Sequence, residues 1–524
     1  MTPGAGAQPG ELSPADGSGP PELLAYPSAR GRWVVAAMIM GSSVAGIDST
    51  VVAVALPAIG RDLHVGFQAL QWTVTSYTLT LASLILLAGS LSDRWGRRRV
   101  FLVGLGWFTV ASVLCAAAPG IGWLIAARAV QGIGGALMTP ASLAIIEAAF
   151  RPGDRTRAIG IWAGFSGVSA AIAPFVGGWL LEAGSWRAIF LINVPVAAVA
   201  AWVTRRHVPE SRDTSASGSA DWPGALAGVA ALATITYAII VLPGAGVRSP
   251  QFAAAAVLAL VSSAAFAVTE RRGSHPMLPP AIFAPAQFRA ANAVTFVVNG
   301  ALGGFAFVFI PALEIIAGYS PVVAGSALVP VTVMTLLLSG ASGRLAQRIG
   351  PRPLVVAGCL VCAGASMLAV RVGPHASYWT AVFPLAVLFG LGLASLIPPL
   401  TASAMSSAPD SLAGLASGVN NAVARVAGLL WIAALPPITG LTGAAYADPA
   451  QFRSSFAQIS WICAAAFACA AAIAATFITG LRPTPAPGTA LIQTPVPHLA
   501  CPVAFGHAPG QSRRPDGGAG QAVR

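Results

Sequence analysis

Lysine is absent from this chain of 524 residues; all 29 basic residues are arginine. Charge of either sign is scarce, at 9% of residues against 56% apolar. That is too little polar surface to coat a water-soluble protein of this length. Cysteine is sparse too, and five of the six (Cys115, Cys359, Cys362, Cys463, Cys469) sit in apolar runs. A disulfide framework is therefore not expected. Cys359 and Cys362 share a helix face but have no His or carboxylate beside them, so they read as small packing residues rather than metal ligands. No phosphate-cradling loop, paired metal ligands or nucleophile–base triad is present, which argues against an enzyme and against ATP as an energy source. A basic leader with a small-residue cleavage site is also missing. Residues 1–31, rich in Pro, Gly and Ser, read as a disordered tail before an uncleaved first helix. Residues 481–524, Pro-rich and without apolar periodicity, read as a second disordered tail.

What remains is a series of long apolar runs. Fourteen can be drawn, at 33–57, 70–91, 100–118, 121–148, 157–181, 187–204, 222–242, 251–269, 289–313, 320–341, 353–372, 377–404, 412–436 and 455–480. Each is long enough to cross a hydrocarbon core about 30 Å thick as a helix. They are continuous rather than ten-residue alternations, so helices and not a barrel are expected. The formal charge of +12 does not point to nucleic acid, because its distribution has another origin. With the N-terminus in the cytoplasm, 22 Arg fall in the tails and in loops after even-numbered runs. Five fall outside (Arg61, Arg187, Arg248, Arg371, Arg453) and two within runs (Arg128, Arg425). This positive-inside pattern predicts both termini in the cytoplasm, although the loop Met405–Ser411 carries no Arg. The excess of Arg, Ala, Gly and Pro matches a bacterial genome rich in G and C, and hence a multi-pass protein of a bacterial cytoplasmic (inner) membrane.

The chain repeats itself. Gly89-Ser-Leu-Ser-Asp93-Arg94-Trp-Gly96-Arg97-Arg98-Arg99 returns 254 residues later, degraded, as Gly343-Arg-Leu-Ala-Gln347-Arg348-Ile-Gly350-Pro-Arg352. Gly132, Gly134 and Pro140 recur as Gly390, Gly392 and Pro398, at an offset of 258. Runs 2–4 therefore lie over runs 10–12. The simplest organisation is six helices (32–205), two inserted helices with flanking linkers (206–288) and six more (289–480). Parallel repeats of this kind place substrate and ion sites near the midplane, where two pseudo-symmetric halves meet and rock.

The same residues carry a resemblance over about 33–480. Gly89–Arg99 is similar to the loop between helices 2 and 3 of the major facilitator superfamily. Leu124-x3-Arg128-x2-Gln131-Gly132-x-Gly134 resembles its fourth-helix motif. Asp48-Ser-Thr50-Val-Val-Ala-Val-Ala-Leu56-Pro57 resembles the first-helix signature of its fourteen-helix drug:proton antiporter group. Gln71-Trp72, Tyr77, Ser185-Trp186-Arg187, Asn193 and Ser417-Gly418-x-Asn420-Asn421-x3-Arg425 add group-typical positions. The resemblance implies an all-α major facilitator fold with 14 transmembrane helices arranged 6+2+6. It also implies a monomer in the lipid bilayer that exports small amphipathic organic compounds, such as drugs or antibiotics, in exchange for protons. The proton gradient is the energy source, with no cofactor, metal or nucleic-acid partner. Export of an endogenous metabolite, siderophore or lipid is the alternative on the same scaffold. A non-transporting receptor or scaffold offers no reason for an intramembrane Asp and Arg at matching depth.

Asp48 and Arg128 are those residues. A carboxylate deep in a membrane helix costs about 2.5–3.5 kcal/mol on insertion scales, so it is neutral, paired or in a wet cavity. Any of these suits a proton carrier; the plainer reading is a packing residue bonded to Ser49 or Thr50. At about 1.5 Å per residue, Asp48 and Arg128 lie roughly 13 and 11 Å below the outer surface, so a pair is expected. The resemblance implies that Arg128 couples proton movement to substrate; the alternative is an Arg that caps backbone carbonyls. In the loop, Gly89 and Gly96 permit a close turn, and Asp93 can accept hydrogen bonds from a helix end or from Arg94, Arg97 or Arg98. There the resemblance implies a latch between the halves that favours the outward-facing state; the second copy has Gln347 in place of the acid. In the fifth run, Ser169-x3-Ala173-Pro174-x2-Gly177-Gly178 resembles the antiporter motif, with Ser169 and Ala173 where Gly is favoured. Its small residues permit close helix contact and Pro174 favours a kink. Tyr77, Gln131, Asn299, Asn421 and Arg425 are candidate cavity residues; Arg425 could select anionic groups or hold the interface between halves. Glu314 is expected at the outer boundary, in solvent.

Overall fold

The structure, a computed structural model, describes residues 23–212, 221–246, 248–273, 278–407, 413–441 and 448–479. Each apolar run lies on a helix. In chain order these are α1 (Ala29–Leu63), α2 (Phe67–Trp95), α3 (Arg97–Ala116), α4 (Ile121–Ala149), α5 (Pro152–Ala183), α6 (Ala188–His207) and α7 (Trp222–Ala245). There follow α8 (Pro250–Arg272), α9 (Ala286–Ile315), α10 (Pro321–Ile349), α11 (Pro351–Arg371), α12 (Tyr378–Met405), α13 (Ala413–Ile438) and α14 (Pro449–Phe477). Thirteen helices among the described residues are long and apolar enough to cross a membrane. The run 157–181 lies on α5, a helix of 32 residues that continues through Pro174.

Helix breaks sit where backbone chemistry requires them. Gly96 between α2 and α3 and Gly350 between α10 and α11 have φ of 105° and 88°. This left-handed region is open to glycine and strained for residues with a Cβ. The repeat therefore keeps its turn geometry where it has lost its acid. Helix packing repeats as well. A Cβ on Gly134 would lie 2.8 Å from the Gly104 carbonyl, and one on Gly392 would lie 2.9 Å from the Gly358 carbonyl. Gly132 rests on the Tyr77 carbonyl in the first half, and Gly390 on that of Val331 in the second. Each partner is displaced by the same 254 residues as the loop, so the duplication holds at single contacts.

The largest buried apolar cluster joins both halves towards the α1–α2 turn, with Val51, Leu56, Phe67 and Leu70 packed with Phe305, Phe307 and Phe309. A second cluster, with Val34, Phe101, Phe108 and Phe150, belongs to the first six helices. The inserted helices form a hairpin tied by the Thr234–Ser262 hydroxyl pair at 2.9 Å. Its α7 packs against α2, with Ala225 beside Leu87 and Leu91 and the Trp72 and Tyr237 rings 6.4 Å apart. In α8 the described buried residues are Ala255 and Glu270; an apolar helix this exposed faces lipid. Exposed Trp33, Trp95, Trp202 and Trp222 mark the arginine-rich end, and Trp123, Trp179 and Trp379 the opposite end, as interfacial aromatic belts do.

The segment read as an N-terminal tail is shorter than expected. Leu24 forms a backbone bridge with Phe150, the Tyr26 N–H donates to Asp154 Oδ2 at 3.0 Å, and Ser28 caps α1. Residues 1–22 and 480–524 lie outside the described residues.

Candidate functional site: a buried ion pair

The Ser49 and Thr50 hydroxyls turn back to the Gly46 carbonyl at 2.9 and 2.8 Å, so neither serves Asp48. Asp48 is 1% exposed and pairs instead with the wholly buried Arg128 of α4, whose Nη1 donates to Oδ2. Gln131, one turn further on, donates to Asp48 Oδ1 at 2.9 Å and accepts from Arg128 Nη1 at 2.6 Å. Asn193 of α6 donates to the same Oδ1 at 3.1 Å. Ser112 of α3 accepts from Gln131 at 2.9 Å, and Arg128 Nε donates to the Thr73 carbonyl of α2 at 3.1 Å. The guanidinium lies over the Tyr77 ring, 4.3 Å from its centroid. Five helices thus meet on one pair of charges.

Taking two ions out of water is tolerable only when geometry and further hydrogen bonds compensate, and here both hold. Arg128 does reach a backbone carbonyl, yet its carboxylate partner goes beyond capping. Tyr77 and Gln131, expected in a cavity, are instead buried members of this cluster, 3% and 0% exposed. Asn193 stood out in the sequence only as group-typical, and Ser112 not at all. A small apolar cavity between α1, α5 and α6, lined by Val44, Ile47, Ala173, Val176 and Val196, reaches the cluster at Asn193.

At the arginine-rich end, Arg97 bridges Asp93 at 2.9 Å and reaches the Ala144 carbonyl of α4 at 3.3 Å. Arg98 donates its backbone N–H to Glu210 at 3.1 Å and its Nη1 to the Val208 carbonyl at 3.0 Å. Arg94 is half-buried in the last turn of α2. Glu210, unremarked in the sequence, is the acid around which the loop closes, and a Cβ on Gly96 would lie 2.6 Å from its carboxylate. At Gly89 a Cβ would meet Pro140 at an ordinary 3.8 Å, so the close turn rests on Gly96. These contacts of Asp93, Arg97 and Arg98 run within the first six helices and to the linker that follows α6; the latch between halves expected here is not among them.

The halves touch most closely at the other end. A Cβ on Gly178 of α5 would fall 2.6 Å from the Pro321 carbonyl of α10, and Gly325 of α10 presses on the Pro174 carbonyl. Gly177 faces Val51 of α1 instead. Gln71 of α2 donates across the seam to the Ile432 and Ala433 carbonyls at 2.6 and 3.0 Å. Arg425 and Asn421 are exposed on α13. Asn299 is half-buried and bonded to the Thr295 carbonyl of its own helix at 2.9 Å. Glu314 is not in solvent as expected: its Oε1 is buried without a hydrogen-bond partner among the described residues.

Residues 38–432 match the family model described as Major Facilitator Superfamily. The chain belongs to that superfamily. Among its curated relatives is the puromycin resistance protein pur8 of Streptomyces alboniger, 36% identical over 80% of this chain and 84% of that protein. The tetracenomycin C resistance and export protein of Streptomyces glaucescens is 35% identical over 78% and 76%. The multidrug resistance protein Stp of Mycobacterium tuberculosis is 34% identical over 77% and 75%. Among solved structures, the peptide transporter POT in complex with sulfate covers 84% of this chain and 94% of its own, with TM-score 0.61 at 13% identity. That likeness is one of fold. This major facilitator protein is thus a multi-pass membrane protein whose buried polar centre is built from its first six helices.

Proposed function

We propose that this chain is a proton-driven antiporter that exports amphipathic organic compounds, drugs or antibiotics among them, across a bacterial cytoplasmic membrane. It works as a monomer without a cofactor, both termini in the cytoplasm. The single observation behind this is Asp48, a membrane-buried carboxylate joined to Arg128 and bonded from two further side chains on α4 and α6. Names of relatives that include resistance and export support the substrate class. Ionised, Asp48 draws Arg128, Gln131 and Asn193 together. Protonated, it loses the charge that holds Arg128, and the contacts between α1, α4 and α6 weaken. Proton binding thereby changes which packing of these helices is preferred, which is the differential interaction coupling requires.

Inverted membrane vesicles with an imposed pH gradient test this. The wild-type protein should accumulate a compound such as tetracenomycin C, and collapse of the gradient should stop it. Asp48→Asn should reach the membrane in normal amount and lose gradient-driven accumulation. Gradient-driven transport that survives in Asp48→Asn removes the carboxylate from the mechanism.

A further inference from the structure

Arg425 is the charge that the coupling centre does not use. It stands in the middle of α13, four residues after Asn421. Gly418, Ala422 and Arg425 follow helical spacing on one stripe. Gly418 lies against Leu86 of α2, and Ala422 packs on the cluster of the first six helices that contains Tyr77. Two turns beyond Arg425, the Ile432 carbonyl accepts from Gln71 of α2. A different stripe of α13 packs on α9, with Gly428 against Gly303 and Trp431 against Gly300. Arg425 therefore points to the seam between the halves. Its side chain is exposed there, and no ion pair or hydrogen bond holds it among the described residues.

The balance of charge along the middle of the spans follows. Asp48 and Arg128 cancel, and the remaining described carboxylates stand at helix ends or in loops. Protonation of Asp48 adds positive charge and never removes Arg425. The space between the halves is thus positive in both protonation states.

Resting on the export reading above, we propose that Arg425 makes this transporter selective for amphipathic organic anions over lipophilic cations. In a cleft walled by apolar helices a fixed charge attracts its opposite and excludes its like more strongly than in bulk water. A guanidinium also presents a planar fork that fits a carboxylate or sulfonate. A cationic drug would find no unpaired carboxylate mid-span. Export of an anion in exchange for an entering proton moves charge in the same sense in both halves of the exchange, so the membrane potential assists it.

Binding to the purified full-length protein in lipid nanodiscs tests the proposal with two probes that share a fluorophore, dansylglycine (an anion) and dansylcadaverine (a cation). Empty nanodiscs give the blank. The wild type should bind dansylglycine roughly tenfold or more tightly than dansylcadaverine, the discrimination of one well-placed charge. Arg425→Lys should keep most of this gap, Arg425→Gln should close it and Arg425→Glu should reverse it. Equal binding of the two probes by the wild type overturns the proposal, as does a gap unchanged in Arg425→Gln. The wild-type ratio decides even where a variant fails to fold. Equilibrium binding needs no pH gradient, so a failure of proton-coupled export would appear separately, as normal discrimination without gradient-driven transport.

Discussion

Asp48 and Arg128 were legible in the sequence because an ion within an apolar run is costly and demands a partner. Their neighbours were less so. A lone Ser112 or Asn193 can satisfy its own helix backbone, so nothing local marks it as part of a polar centre. Glu210 lies 112 residues from Arg98, and only tertiary packing makes it the anchor of the loop. The cluster carries its own stability test, separate from transport. Arg128→Met should strand the Asp48 carboxylate and cost about 3–5 kcal/mol, as when one partner of a buried pair is removed. The double variant Asp48→Asn with Arg128→Gln leaves neutral groups that can still hydrogen-bond, and should recover much of that loss. Thermal unfolding in detergent measures both; equal losses in the single and double variants would mean that the charges are not mutually stabilising.

The helices were legible as apolar runs, but their ends were not. Apolarity marks what lies in lipid, whereas a helix ends where its backbone hydrogen bonds end. α1 runs from Ala29 to Leu63 rather than 33–57, since Ser28 caps it and Pro57 stays within it. Close pairing of helices was half visible: the Gly repeats showed that positions correspond, and the structure shows what they meet. Gly134 of α4 and Gly392 of α12 each bring a helix onto the backbone of its predecessor, α3 and α11. Gly134→Val and Gly392→Val should therefore behave alike, each overpacking its helix pair by roughly 1–3 kcal/mol. Gly106 on α3, where a Cβ meets nothing within 4 Å, provides the control, and Gly106→Ala should be near neutral. Melting curves of the three variants compare them directly, and a benign Gly392→Val would show that the second copy does not need the close approach.

At the scale of the whole molecule, the two halves were legible from the repeat, but the state of the seam was not. Spacing fixes which helices correspond and leaves open where the halves touch. The seam is sealed at the end away from the arginines, where α5 crosses α10 and Gln71 reaches α13. With both termini cytoplasmic, as proposed, that end is the outer one. Gly178 meets backbone rather than a flexible side chain, so α5 and α10 must separate to accept any larger residue. Overpacking of about 1–3 kcal/mol shifts an equilibrium roughly five- to 150-fold, enough to favour an arrangement with this crossing undone. Spin labels at Glu182 and Ser320, both exposed at this end, report the separation once Cys501 and the exposed Cys469 are both replaced by Ser. Gly178→Val should move the measured distances to longer values. Gly325→Val should do the same, because Gly325 presses on the Pro174 carbonyl in the same crossing. The double variant should add little, since the first substitution already relieves the contact the second would strain. Distances unchanged in both single variants would mean that the α5–α10 contact is not what holds this end closed, and would point to the apolar cluster at the α1–α2 turn and to Gln71 with its two carbonyls.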